Sequence, residues 1–374
     1  MGAVLSGVAG AIVVHTGERQ CVVHVGSGLH AEIARLAPPS RTAAVIVDDA
    51  IFATHGMAVV AALRNDGRRV SVHRMECRED QKVLATVERL SRELTEAGAD
   101  RGALVVAVGG GIVGDVAGFV AASFLRGLPL VQVPTTLLAM VDASIGGKTA
   151  VNLRLADGTL AKNMVGAFWQ PWAVVADVLT LSTLDERQMR AGLAECIKHG
   201  MIADRELRPF IISNRQAILA REAGVLSELV RRSVAVKAGV VARDEREAGE
   251  RALLNLGHTY GHAIEARCSE QVNHGEAVAI GLVAASAAAV QAGLMKPAEA
   301  AEVRQQIAEV GLPVQLPVPL RAKILLDAMG VDKKRRRGRI ALVLPRGDGT
   351  AVVVPEAEPE LIAAGWRAVG ASMD

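Results

Sequence analysis

Leu104-Val-Val-Ala-Val-Gly-Gly-Gly-Ile-Val-Gly-Asp115 decides the fold. Leu104–Val108 has no polar residue, so it reads as a strand covered on both faces. Three glycines end the strand, and Val116–Ala122 then continues in a helical pattern. Similar β-branched runs recur at Cys21–Val25, Ala43–Val47, Val70–His73, Leu130–Val133 and Ala173–Val175. Between two of them, Lys82–Ala97 places Val83, Val87, Leu90 and Leu94 at helical spacing. This βαβ rhythm predicts a mostly parallel sheet with helices on both faces, which binds ligands at the carboxyl ends of its strands. From about Leu184 helical periodicity takes over, with candidates Asp185–Ile202, Val225–Arg243, His258–Cys268, Glu276–Ala292 and Ala298–Val310. The prolines of 311–319 precede a final helix, and Ile340–Leu344 with Ala351–Val354 reads as a late hairpin. The expected architecture is an α/β N-terminal domain over residues 1–180 and a helical C-terminal domain over 181–374.

A chain of 374 residues, 51% hydrophobic and 22% charged, suits two globular domains and not a disordered segment. Forty-two Lys and Arg against forty Asp and Glu leave a net charge of +2, so no polyanionic partner is implied. With three Trp, one Tyr and five Phe there is no material for a base-stacking surface, and no nucleic acid is expected. Cys21, Cys77, Cys196 and Cys268 form no CxxC pair, which points to a reducing, cytoplasmic setting. The apolar Met1–Val14 has no basic region and no clear cleavage site, so it is not read as a signal peptide. MGAVLS fits the short myristoylation pattern, which needs a eukaryotic context. Ala277–Met295 has no charge over a membrane-spanning length. It is mostly Ala and Val and follows His274-Gly-Glu276, so we read it as a buried helix and expect no membrane association.

Several groups of residues carry chemical potential. The turn Gly109–Gly111 opens a helix, where glycines let the backbone approach a phosphate at the helix N-terminus. It is not a GxGxxG fingerprint, and a ligand-free tight turn would read the same way. Asp48 and Asp49 end a strand, a place for an acid that takes a ribose hydroxyl or caps a helix. His258 and His262 are four apart and share a helix face; His274 follows, and Glu195 lies upstream with Lys198 one turn on. Imidazoles with a carboxylate make a zinc site, and core histidines are the alternative. Arg126, Lys148, Lys162-Asn163, Lys237, Arg251 with Asn255, and Asp332-Lys-Lys334 are cations beside glycine or a small polar residue. They suit an anionic substrate or ordinary surface charge. Gly146-Gly-Lys-Thr149 resembles the end of a Walker A loop, but Asp142 stands where its first glycine belongs. Lys333–Arg337 reads as a solvated basic loop.

Taken in order, these motifs resemble the 3-dehydroquinate synthases. They are Gly109–Asp115, Arg126-Gly127, Pro134–Leu138, Asp142–Thr149, Lys162–Phe168, Leu254–Glu265, His274-Gly-Glu276 and Asp332–Lys334. The match runs from about Asp48 to about Leu344. The resemblance implies an NAD-binding α/β domain and a helical metal domain, with the active site in the cleft between them. It implies Glu195, His258 and His274 as ligands of Zn2+ or Co2+. Asp48, Glu79, Lys82, Gly110, Gly111, Asp115, Thr135, Thr136 and Thr183 would line the NAD site. Asp142, Lys148, Lys162, Asn163, Lys237 and Lys334 would bind a sugar phosphate, with Lys198, Glu247, Arg251, Asn255 and His262 as catalytic residues that also hold the substrate. Arg126 would reach the phosphate from the second subunit of a homodimer. The implied reaction is conversion of 3-deoxy-D-arabino-heptulosonate 7-phosphate to 3-dehydroquinate. Alternatives are an aminodehydroquinate synthase or another sugar-phosphate cyclase, a polyol dehydrogenase of the same architecture, and a non-catalytic relative. The sequence departs from the pattern in a longer link between Asn152 and Lys162, in Ala161 before the Lys-Asn pair, and in Arg78 before Glu79.

Overall fold

A computed structural model describes residues 11–17, 19–331 and 340–373. Lys334, the run Lys333–Arg337 and most of the apolar N-terminus lie outside the described residues. The chain divides into two compact units, one of Met1–Leu184 with Arg221–Arg246 and one of Asp185–Ala220 with Glu247–Asp374. Where the sequence suggests one crossing near residue 180, the chain passes between units three times.

The first unit is built on a seven-stranded sheet. Its strands are β1 (Ala11–Thr16), β2 (Arg19–Gly26), β3 (Thr42–Asp48), β4 (Arg69–Met75), β5 (Leu104–Gly109), β6 (Leu130–Pro134) and β9 (Ala173–Asp177). Their order is β1-β2-β9-β6-β5-β3-β4, and every pairing is parallel except β1 on β2. All six strands expected from the sequence form; β1 was not anticipated. Strand β5 is buried along its whole length, as its continuous apolar run requires. Val105 and Ala107 join one core, with residues of helices Leu84–Glu96 and Gly111–Ser123. Leu104, Val106 and Val108 join the other, with residues of helix Met57–Asn65. The alternation of one strand across two cores is what makes this a three-layer unit. The chain builds outward from β3 to β4, returns to β5, then continues to β6 on the far side. The topological switch therefore falls between β3 and β5, the position where open α/β sheets bind ligands. Helix Ala223–Arg243 closes this unit, packing on β1 and β2 with Leu226, Leu229, Val230 and Val234 fully buried. A separate hairpin, β7 (Lys148–Arg154) and β8 (Leu160–Phe168), contacts helix Gly111–Ser123. The long link after Asn152 is the turn of this hairpin, where Asp157 accepts from the Thr159 N–H and hydroxyl.

The second unit is helical apart from the expected hairpin, β10 (Leu342–Pro345) on β11 (Ala351–Val354). Its centre is helix His274–Gln291, with Ala277–Ala285 fully buried. This is the one described helix long and apolar enough to cross a membrane, and it is 72% buried inside the protein. Its sides are covered by helices Glu186–Ile202, His258–Cys268, Pro297–Glu309 and Pro359–Ala368. Gly275 makes one of these contacts possible, because a Cβ there would lie 2.2 Å from the Ala191 carbonyl oxygen. Asn273 caps the helix, accepting from the Glu276 N–H while Glu276 accepts from the Asn273 N–H.

Candidate active site

The metal-ligand candidates come from three helices of the second unit. Glu195 sits mid-helix in Glu186–Ile202 and is completely buried. His258 is the first residue of its helix, entered through Gly257 at φ 78°, where a Cβ would press on Leu282 at 3.0 Å. His274 opens the central helix next to Gly275. One ligand atom from each of the three lies within 4.8 Å of the other two. The Nε2 atoms of His258 and His274 lie 3.5 and 3.7 Å from Glu195 Oε1. Lys198, one turn on and 1% exposed, ion-pairs with the other carboxylate oxygen.

The remaining imidazole nitrogens are committed. His258 Nδ1 lies 3.1 Å from the Leu256 carbonyl, and His274 Nδ1 lies 3.1 Å from Glu265 Oε2. Each acceptor engages the Nδ1 proton, so Nε2 is the ring atom that faces the carboxylate. This is the arrangement of metal-binding histidines and their orienting partners. The donor set of two imidazoles and one carboxylate fits a catalytic Zn2+ or a similar divalent ion, which such a set would hold by three protein ligands. Burial pushes His258 down to about 3, against the opposing pull of Glu195. Burial would also lower His274, but bonds to Glu195 and Glu265 outweigh it and raise it to about 10. Burial would raise Glu195, yet Lys198 and the two imidazoles hold it well below the usual carboxylate range.

His262, the third histidine, packs its ring 5.5 Å from His258 and 6.4 Å from His274 and stands outside the trio of ligand atoms. Nearby in sequence, Asn255 donates to Glu247 at 2.8 Å, Glu247 is held at φ 59°, and Arg251 is 2% exposed. Glu276, within the His274-Gly-Glu motif, faces elsewhere: Arg187 donates to both its oxygens at 2.7 and 2.6 Å. Glu265 was not among the residues singled out from the sequence. Its spacing from His274 gives no signal, because the contact crosses between two helices.

The first unit carries the cofactor candidates after the carboxyl ends of its strands, with Asp48 and Gly110-Gly111 flanking the switch point. Asp48 ends β3, accepts from the Ala50 N–H at 3.2 Å, and is raised by burial despite that bond and its contact with Cys77. Gly110 and Gly111 follow β5 at the start of the helix Gly111–Ser123. A Cβ on Gly110 would reach Thr136 at 3.3 Å, and one on Gly111 would reach Ala143 at 3.2 Å. The turn thus packs closely on the segment that follows β6, at a helix N-terminus of the kind that suits a phosphate. Thr135 donates its backbone N–H to the Gly109 carbonyl, and Thr136 Oγ1 accepts from Ala139. Thr183 donates its hydroxyl to the Thr180 carbonyl and contacts His55 Nε2 at 2.7 Å, a pairing the sequence did not suggest.

Lys82 and Glu79 follow β4. Lys82 Nζ donates to Asp115 at 2.5 Å and to Asn163 Oδ1 at 2.6 Å, so it belongs to an internal network. Burial would raise Asp115, and Lys82 opposes that without cancelling it. Lys237 donates to Asp142 Oδ1 at 2.7 Å. Lys148 and Lys162 are exposed on β7 and β8, and Arg126 is exposed on a turn in which Leu125 and Arg126 adopt φ 49° and 68°.

This two-unit architecture is that of the sugar-phosphate cyclases. One solved relative is a 2-epi-5-epi-valiolone synthase from Streptomyces hygroscopicus subsp. jinggangensis with NAD+ and Zn2+ bound. It matches with TM-score 0.85 and 28% identity, covering 95% of this chain and 98% of that one. A 2-deoxy-scyllo-inosose synthase complexed with carbaglucose-6-phosphate, NAD+ and Co2+ matches with TM-score 0.86 and 25% identity, over 96% of this chain and 100% of that one. Family models for the 3-dehydroquinate synthase N-terminal and C-terminal regions match residues 72–191 and 192–335. The 3-dehydroquinate synthase of Pelotomaculum thermopropionicum is 44% identical over 344 residues, 91% of each chain. The chain belongs to the 3-dehydroquinate synthase family.

Proposed function

We infer that this protein converts 3-deoxy-D-arabino-heptulosonate 7-phosphate to 3-dehydroquinate and phosphate. The observation that carries the reading is the Glu195–His258–His274 trio, its carboxylate fully buried and both Nδ1 atoms committed, in a chain so similar to 3-dehydroquinate synthases. When bound, NAD supplies a reversible hydride acceptor, and Zn2+ or Co2+ at the trio supplies a Lewis acid for developing oxyanions. In this reading Asp48, Glu79, Lys82, Gly110, Gly111, Asp115, Thr135, Thr136 and Thr183 hold NAD. Lys148, Lys162 and Asn163 bind the substrate with Asp142, Lys237 and Lys334. Arg251, Asn255 and His262 orient the carboxylate and ring hydroxyls, and Lys198 and Glu247 manage charge beside the trio. The α/β unit is the NAD-binding part and the helical unit the metal- and substrate-binding part.

The protein works as a homodimer in which Arg126 reaches the partner subunit's phosphate site; its exposed, left-handed turn supports that role. Four free cysteines suit a reducing cytoplasm, and the product of this reaction sets the protein in the shikimate pathway. The test is phosphate release from the heptulosonate phosphate by zinc-loaded protein with a trace of NAD. Many turnovers per NAD with dehydroquinate as product are expected. Release only from an amino-substituted analogue would move the assignment to an aminodehydroquinate synthase. Net NADH formation from a polyol would overturn the cyclase reading.

A further inference from the structure

Asn152 is 1% exposed and was not anticipated as a functional residue. It sits on β7 where the hairpin register breaks. Val151 pairs with Val165 and Leu153 with Ala161, so Asn152 faces the bulged 162–164 segment. Its backbone N–H donates to the Lys82 carbonyl at 2.7 Å. Its side-chain nitrogen donates to Glu79 twice, to Oε1 at 2.8 Å and to the carbonyl at 3.1 Å. Its side-chain oxygen accepts from the Asn163 N–H at 2.9 Å. Asn163 is held at φ 53°, and its own Oδ1 accepts from Lys82. One carboxamide thus joins the loop after β4 to the bulge that displays Lys162 and Asn163. Donor and acceptor ends are both committed, so neither Asp nor an aliphatic residue reproduces it.

We propose that Asn152 is a positioning residue that locks the cofactor-side Glu79 and the substrate-side Lys162–Asn163 bulge into one rigid body, setting the register between NAD and sugar phosphate. The proposal rests on the functional reading given above for Glu79 and Asn163. A polypeptide bulge carrying a left-handed Asn has no intrinsic reason to hold one geometry, and misplacement by about 1 Å is enough to slow chemistry by up to a hundredfold.

The test uses full-length, zinc-loaded protein with NAD and 3-deoxy-D-arabino-heptulosonate 7-phosphate. Asn152→Ala should raise KM for both ligands together, by about tenfold or more, with zinc content and circular dichroism unchanged. Glu79→Ala should act mainly on KM for NAD and Asn163→Ala mainly on KM for the sugar phosphate, each with a smaller effect on the other ligand through Asn152 and Lys82. If those two controls fail, the site assignment fails and the proposal falls with it. If they hold while Asn152→Ala leaves both KM values within about twofold, the proposal alone is overturned. Asn152→Asp keeps the shape but sets a carboxylate against Glu79. Its kcat/KM relative to wild type should recover as pH falls and the pair shares a proton, and a pH-independent ratio would count against the proposal. This second variant decides the matter should the alanine variant not fold.

Discussion

His258 and His274 are oriented by different kinds of acceptor. The Leu256 carbonyl is main chain and no substitution removes it, whereas Glu265 is a side chain. Glu265→Gln should therefore weaken metal binding by about 10- to 100-fold, read by chelator competition, while His274→Ala should abolish stoichiometric metal and turnover. Without metal, the proton on His274 is held up to about 10, mainly by Glu195 and Glu265 overcoming burial. At pH 7 to 8 the metal must displace that proton. We expect about one proton released per metal bound, and apparent affinity rising about tenfold per pH unit in that window. Isothermal titration in buffers of different ionisation enthalpy checks it, and zero proton release would exclude a protonated His274 at rest. Sequence spacing pairs His258 with His262 and leaves core histidines as an alternative; the trio with Glu195 comes from the family resemblance. Spacing could not show Glu265 or Asn152, because Glu265 meets His274 across two successive helices and Asn152 meets Glu79 from a distant strand.

At the scale of elements, the site depends on close approach between helices Glu186–Ile202 and His274–Gln291. Gly275→Ala would drive a methyl group into the Ala191 carbonyl, separating Glu195 from His274. The expected cost is about 3 kcal/mol with loss of metal, read by thermal unfolding and metal analysis. The cap of the central helix also predicts an acid limit. Burial would raise Glu276, but bonds from Arg187 and the Asn273 N–H outweigh it and lower it below its usual value. A depressed carboxylate stabilises the fold above its unfolded pKa, near 4.3, and that contribution is lost as pH falls through the lower folded value. Glu276→Gln should flatten this part of the stability curve below pH 5 in acid titrations followed by circular dichroism. The strands were legible because Leu104–Val108, Ala43–Val47 and Ala173–Val175 are uninterrupted apolar runs and the other three are rich in Val. The hairpin Lys148–Phe168 was not, since β8 is half exposed and its polar Lys162-Asn163 breaks the alternation that marks a strand.

For the whole molecule, the assignment of Arg126 to the partner subunit's site predicts complementation. Arg126→Ala and Lys198→Ala proteins should each be inactive. When mixed and allowed to exchange subunits, hybrids carry one intact site, and about a quarter of wild-type activity should return. No recovery, with exchange demonstrated, would place Arg126 in its own subunit's site. The discontinuous first unit was beyond the reach of sequence patterns. Val225–Arg243 reads as a helix, but nothing in its periodicity says which core its buried face joins. That return of the chain also sets a timetable for synthesis. At about 5–20 residues per second, the roughly sixty residues after Leu184 take several seconds to emerge from the ribosome. Until Arg243 is out, β1 and β2 lack the helix that covers them, and the nascent sheet stays a client for chaperones even though its strands are already made.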